Sequence, residues 1–439
     1  MNLFWRRIFG GMTGTAKLER KEADLLQEME RYYQIEASAE LAEYKDLMAK
    51  VKTPEFMQNK KMLQNRKYTD TEEFRDMKKY EKLCKGGAFK KYLEVLNSSE
   101  LACFLEFKQT AQYKNLGDPE AVKRSEQLQR MKSYEKSKEY GLYTRFHDSY
   151  VEKEYLKLKQ QIEDEKFQER VAFWSNPHRW ETTPEYKLDA RFYELSKNTD
   201  IQFYLKADVA RFERYKDLKL TFEDNFQWNS LEAARWNAGF HYKSPQLKSH
   251  HSFVNEKQAN NYGHNTSVID GILTIQTRKE NVKAAAWDQK KGFVEKDFEY
   301  TSDIIQSADY FRQAEGVFRA KIRCKGKIHH AFWLGADGKL PHINIFHFNG
   351  KNITVGNANQ QLFDQTKVTG ICASSFYIYT LAWNQKELIW YVNDVEVYRT
   401  SANMPNEAMY LAFNSFISEN QKGAQGQLEV DWVRVYERK

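Results

Sequence analysis

The sequence predicts two folds in series: an all-α array over residues 16–215 and an all-β segment over 216–439, behind a short apolar and basic stretch at 1–15. Three observations predict this. Charged side chains thin out across the boundary, from more than one position in three to fewer than one in four. Seven of the 20 glycines lie before it and thirteen after it. Apolar residues spaced by three and four give way to apolar–polar alternation, the change from a 3.6-residue period to a period of two. The boundary falls between Arg214 and Phe222, and the two halves are expected to be separable.

The chain opens on Met-Asn-Leu-Phe-Trp-Arg-Arg-Ile-Phe. Arg6-Arg7 interrupts the apolar run, and Gly10-Gly11 stands where a cleavage site would follow, so no cleavable signal peptide is expected. Leu3, Phe4, Trp5, Ile8 and Phe9 are read as an apolar tag, dispensable for folding. Three fates stay open for it: docking on a partner, contact with a membrane surface, or folding back on its own domain.

The helical half is built from amphipathic segments. Thr53-Pro54-Glu55, Asp118-Pro119-Glu120 and Thr183-Pro184-Glu185 mark helix starts, since proline at the first turn loses no hydrogen bond and Thr or Asp caps the open donors. A second pattern recurs irregularly. Tyr32, Ile35, Ser38, Glu40, Leu41 and Tyr44 match Tyr92, Val95, Ser98, Glu100, Leu101 and Phe104, and again Phe192, Leu195, Asn198, Asp200, Ile201 and Tyr204. In each, an aromatic and an aliphatic end one helix, a polar residue caps the next, and an acid occupies its first turn. This predicts a helix-turn-helix unit used at least three times, an array of the kind that presents surfaces to protein partners. No metal, phosphate-loop or nucleophile spacing occurs in this half.

The second half reads as strands. In order they include Phe222-Glu223-Asp224-Asn225-Phe226 with Trp236 beyond it, Val268 to Ile275 with Asp270-Gly271 at a turn, Glu315 to Ile322, and Ala331-Phe332-Trp333-Leu334-Gly335. Then come Phe376 to Trp383, Ile389 to Val395 and Val430 to Tyr436. The informative stretch is His342-Ile343-Asn344-Ile345-Phe346-His347. Its alternation puts His342 and Asn344 on one face; a β-bulge at Phe346 would bring His347 to the same side.

These pieces, in this order, are similar to the family 16 glycoside hydrolases, which include laminarinases and lichenases. The resemblance covers residues 216–439 and implies a concanavalin-like two-sheet jelly roll with a concave sugar-binding face. The family's active-site strand reads Glu-Ile-Asp-Ile-(apolar)-Glu. Against it, His342 stands at the nucleophile position, Asn344 at the assisting acid and His347 at the acid/base. Tyr377 and Asn393 are two further departures. Retaining glycosidases need two carboxyl groups about 5–5.5 Å apart. None stands here, so no catalytic residue is assigned.

The resemblance places Trp333 beside this motif. Trp333, His342, Asn344, His347 and Trp287 are the expected carbohydrate contacts, with Trp228 and Tyr262 as further stacking candidates; Trp236 and Trp432 are read as core. His329-His330 next to His342 and His347 raises a metal site, but Asn is a poor ligand and no metal or other cofactor is expected. Three functions remain: glycan binding without catalysis, presented by a helical adaptor; a scaffold with protein partners through residues 1–11 and the helical repeats; or hydrolysis through a displaced carboxylate, for which Glu315, Asp337 and Asp364 are the acids to ask about. The ligand would be a β-glucan or another glycan.

Composition excludes other classes. The net charge of +7 is spread evenly, 41 basic against 37 acidic side chains before the boundary and 27 against 24 after it, which is not the footprint of a nucleic-acid binder. Cys84, Cys103, Cys324 and Cys372 form no C-x-x-C pair and are read as reduced thiols. No run of about 18 apolar residues occurs, so no transmembrane segment is expected. The expected location is cytoplasmic, or outside the cell by a non-standard route.

Overall fold

The computed structural model describes residues 2–242, 249–337, 339–358 and 363–439. The chain forms two compact units, one made of Met1–Tyr33 with Ala207–Lys439 and the other of Gln34–Lys206. This division differs from the expected segments 1–15, 16–215 and 216–439, because Met1–Tyr33 builds into the β unit. Among the described residues no helix is long and apolar enough to cross a membrane.

The unit Gln34–Lys206 is helical throughout, and its local structure follows from its caps. Ser38 Oγ accepts from Leu41 N–H at 3.2 Å and donates to the Ile35 carbonyl at 2.7 Å, so one hydroxyl closes one helix and opens the next. Ser98 does the same between Val95 and Leu101, and Thr53 and Thr183 repeat it ahead of Pro54 and Pro184. The helix-turn-helix expectation changes in one respect. Helices on either side of a cap still touch, but several pack as much or more on a partner further along the chain. Ala39–Val51 packs on Pro184–Ser196, Gly87–Leu96 on Lys138–Phe146, and Ser99–Lys108 on Glu126–Glu135. Cross-pairs nest in the same order: Glu43 with Arg191 at 2.8 Å, Glu73 with Arg170 at 2.8 Å, Lys108 with Tyr140 at 3.2 Å and Tyr113 with Glu135 at 3.3 Å. As the first partner advances the second retreats, which two antiparallel arms require. Ile35, Leu41, Tyr44 and Leu47 thereby share a core with Leu195 and Ile201, so the first and third copies of the pattern pack together.

The other unit is a two-sheet β-sandwich. One sheet runs in spatial order Val395–Thr400, Leu388–Val392, Tyr377–Trp383, Gly316–Lys325, Gly426–Arg438, Ile272–Asp288, Gly292–Ser302 and Gln258–Asn260. The second runs Phe363–Val368, Ile353–Ala358, Lys339–Asn349, His329–Ala336, Tyr410–Phe416, Ile304–Gln306 and Asn237–Ala238. Phe318, Ala320 and Ile322 of the first sheet meet Phe332, Leu334, Ile343, Ile345 and Phe413 of the second in one core, as the alternation of both strands demands. Asn393 and Asp394 adopt φ of +45° and +64° in the turn between Leu388–Val392 and Val395–Thr400, the conformation a two-residue hairpin needs.

Helix α1, Leu3–Ile8, belongs to this unit, as does helix α2, Thr15–Glu36, up to Tyr33. Leu3 and Met12 are buried in its core, and Leu3 N–H donates to the Thr369 carbonyl at 3.0 Å. A dispensable tag does not fit that burial. The start of α2 covers the outer face of the first sheet. Leu18 packs on Ile378 and Trp432, Trp432 Nε1 donates to Glu19 at 2.8 Å, and Glu22 takes two hydrogen bonds from the buried guanidinium of Arg319. Trp432 is therefore buried as expected, though beneath a helix and not between the sheets.

Candidate functional site

The strand Lys339–Asn349 has one face in the core and one partly buried face turned away from it, set by its alternation. Ile343, Ile345 and Phe346 all lie in the core. Two consecutive core residues require a bulge, and the register contains one: Trp333 pairs with Asn344 and Phe332 with Phe346, leaving Ile345 unmatched, while on the other side Asn344 pairs with Gly356 and His347 with Thr354. His342, Asn344 and His347 are thus brought to one face, away from the core.

On that face two groups of rings form. His342 Nε2 lies 2.9 Å from Asn344 Oδ1. An amide oxygen only accepts, so the imidazole carries its proton on Nε2 in this arrangement. The other group is built on His329. Its Nδ1 is 2.9 Å from His347 Nε2, and its ring stacks on Phe416 at 4.3 Å. Between those two nitrogens one must donate and the other accept, so at least one ring of the pair is neutral and the two cannot both be charged while the bond holds. Burial pushes His329 down to about 4, and burial with the nearby imidazoles brings His347 to about 4 as well. His342 is also held below its ordinary range by burial, opposed by its bond to Asn344.

Trp333 completes the first group. Its indole stacks on the His342 ring at 4.7 Å and 25° and meets Tyr410 edge-on at 5.9 Å. Its Nε1 donates to Asn414 Oδ1 at 3.1 Å, which fixes the ring plane. From the opposite sheet, buried Trp390 donates its Nε1–H to the Asn344 carbonyl at 2.9 Å. Beyond Tyr410 lies a charged corner in which Asp337 accepts from Arg312 at 2.6 Å and lies 3.3 Å from His241.

The structure therefore brings together Trp333, His342, Asn344 and His347. It adds His329, Tyr410, Asn414 and Phe416, which sequence reasoning did not assign to the site. His329 had a usable signal: it shares the parity of Trp333 on the same strand. Tyr410, Asn414 and Phe416 come from a strand distant in sequence and gave none. His330, of opposite parity, turns inward to Ser415 at 2.8 Å. Trp287 lies on the hairpin of Ile272–Asp288 and Gly292–Ser302, edge-on to Phe293 at 4.9 Å. Trp228 is exposed, Tyr262 is exposed and pairs with His250, and Trp236 is core, bonded to Asp224 at 2.8 Å. Of the three acids, Asp337 is held by Arg312, Asp364 accepts from Tyr398 and from Thr400 at 2.8 Å, and Glu315 sits in a turn at φ +60°. Among the described residues, no group of three or more His, Cys, Asp or Glu is placed to hold a metal ion.

Chemically, this face offers partly buried rings, neutral imidazoles and amides. It can accept and donate hydrogen bonds and cover an apolar surface. The three motif positions supply no carboxylate nucleophile and no carboxylic acid.

Residues 255–434 match the model of the family described as glycosyl hydrolases family 16. Two relatives from Rhizobium meliloti (strain 1021) are similar to this chain. Endo-1,3-1,4-beta-glycanase EglC is 26% identical over 189 residues, 39% of this chain and 39% of its own length. Endo-1,3-1,4-beta-glycanase ExsH is 26% identical over 191 residues, again 39% of each. The chain thus spans well under half the length of these relatives. Among solved structures, the catalytic domain of an endo-1,3-beta-glucanase (laminarinase) from Thermotoga petrophila RKU-1 is similar at 18% identity and a TM-score of 0.41, covering 51% of this chain and 99% of that one. The laminarinase from Rhodothermus marinus is similar at 20% identity and a TM-score of 0.41, covering 51% and 98%. The family match lies in the C-terminal half; the N-terminal half is unrecognised.

Proposed function

We propose that this protein binds a β-glucan or a related glycan on the open face of the second sheet and does not cleave it, while the helical unit engages protein partners. The observation that carries the reading is the replacement set itself, His342, Asn344 and His347, held on one face by the bulge beside the half-exposed Trp333. Retaining hydrolysis needs one carboxylate to attack and one carboxylic acid to move protons. An imidazole can move a proton, but neither it nor an amide supplies the carboxylate that attacks; each does donate and accept hydrogen bonds, as sugar hydroxyls do. The indole and the imidazole beneath it offer a flat surface to the apolar face of a sugar ring.

A scaffold role without a sugar ligand is the second reading. It is favoured by the way the polar groups already satisfy one another, His342 with Asn344, His329 with His347 and Trp333 with Asn414.

The test is a binding panel of laminarin, lichenan and other glycans on the whole chain, with reducing-sugar release measured in parallel. Binding without release is expected. No binding to any glycan would leave the scaffold reading. Release above a heat-killed control, persisting in Asp337→Asn and in His342→Ala, would sink the non-catalytic reading and place the chemistry elsewhere.

A further inference from the structure

The start of the chain carries a surface that the glycan reading does not use. Within α1 and its cap, Phe4 is 49% exposed, Trp5 54%, Ile8 56% and Phe9 78%. At about 100° per residue, positions 4, 5, 8 and 9 make one continuous stripe. Trp5 and Phe9 stack at 5.9 Å. Leu3 faces the other way and is buried in the sandwich core with Met12. The stripe is therefore held out from a fixed base. Asn2 caps α1 at Phe4 N–H, 3.0 Å, and Met12 N–H closes back on the Arg6 carbonyl at 3.0 Å.

Beside it lies a basic cavity. The α1 backbone runs against Thr369 and Gly370, where φ of +87° and the closeness of Asn2 and Phe4 leave no room for a side chain. The same Thr369 and Gly370 line a cavity of about 600 Å³ whose rim carries Lys325, Lys351 and Lys367. Of the neighbouring acids, Glu429 lies 3.7 Å from Lys325, and Glu396 feels the charge of Arg6. Arg7, Lys351 and Lys367 are exposed.

We propose that α1 and the Lys351–Lys367 cavity form a docking surface for an anionic phospholipid bilayer. Trp favours the headgroup layer, where an amphipathic ring can be half wet, and Phe buries beside it on the apolar face of an interfacial helix. An exposed aromatic stripe beside a lysine-lined cavity suits that layer: the rings enter between headgroups while the lysines meet lipid phosphates. The charge complementarity is one-sided, so a neutral bilayer should hold the chain poorly.

The experiment is co-sedimentation of the full chain with vesicles of phosphatidylcholine alone, or of phosphatidylcholine with phosphatidylserine. Binding is expected to the anionic vesicles and to weaken as salt screens the lysines. The double substitution Trp5→Ser with Phe9→Ser should weaken it by about tenfold or more, and Lys351→Gln with Lys367→Gln should weaken it and flatten its salt dependence. Bilayer-embedded bromine should quench the wild-type tryptophan emission more than that of Trp5→Phe. This last arm does not depend on the serine variants folding. No binding to anionic vesicles at low salt overturns the proposal and leaves the stripe to a protein partner. So does wild-type affinity in the folded double variant, or equal quenching in Trp5→Phe.

Discussion

The indole Nε1 of Trp390 donates a 2.9 Å hydrogen bond to the main-chain carbonyl of Asn344, across the core from one sheet to the other. Both partners are buried. At the bulge the ladder is interrupted, and a side chain of the facing sheet satisfies a carbonyl there.

Trp390→Phe should therefore destabilise the β unit by about 1–3 kcal/mol, the cost of leaving a buried acceptor unpaired, plus the loss of ring volume. Urea unfolding followed by far-ultraviolet circular dichroism measures it. A midpoint unchanged from wild type would show that the carbonyl finds another donor and that the bulge does not depend on Trp390.

Trp333→Ala should weaken glycan binding by about tenfold or more, about 1.4 kcal/mol, while Trp333→Phe keeps a ring and should recover most of it. Titration calorimetry with whichever glycan the panel identifies gives the comparison. If phenylalanine and alanine lose affinity alike, the indole Nε1 bond to Asn414 matters more than the ring face.

Stability should fall on acidification through the weakly acid range. The folded-state values of His329 and His347 are depressed to about 4 from an ordinary 6.5, and His330 to about 3, chiefly by burial. Between about 4 and 6.5 the unfolded chain binds protons that the folded chain refuses. The contribution of His329 and His347 is full above pH 6.5 and lost progressively as pH falls towards 4. His347→Gln keeps a hydrogen-bonding group without a titrating one and should flatten the slope of melting temperature against pH in that window. An unchanged slope would mean that other groups govern it.

Leu3→Ala should cost about 2–5 kcal/mol, as for other buried leucines, and removing residues 2–11 should lower the melting temperature of the β unit. Scanning calorimetry is the measurement. A deletion that melts with the wild type would restore the view of this stretch as a detachable tag, and would contradict its burial beside Thr369.

Much of the fold was legible because it rests on local periodicity. The alternation at 342–345 and the spacing to His347 announced both the wet face and the bulge, since two adjacent core residues cannot sit on an unbulged strand. The hydroxyls at Ser38, Ser98 and Thr183 announced helix boundaries because capping is a bond between residues three apart. Trp333 could be placed next to the motif because the two strands are consecutive. Trp287 had no such neighbour to place it: an aromatic beside a turn reads alike whether it faces a cleft or packs in a hairpin, and in the structure it packs on Phe293.

By itself, then, the sequence determined the order of an α and a β region, the faces of the strands, the helix starts and the absence of a carboxyl group at 342, 344 and 347. Each of these is a matter of residue identity or of neighbours within about one turn or one pleat. Only the tertiary structure decided that Leu3 and Met12 complete the sandwich core, that Glu22 pairs with Arg319 beneath α2, that Ala39–Val51 packs on Pro184–Ser196 and Gly87–Leu96 on Lys138–Phe146, and that Tyr410, Asn414 and Phe416 line the site. These contacts join residues far apart along the chain. They are selected by how whole surfaces bury against one another, and no local period records that choice.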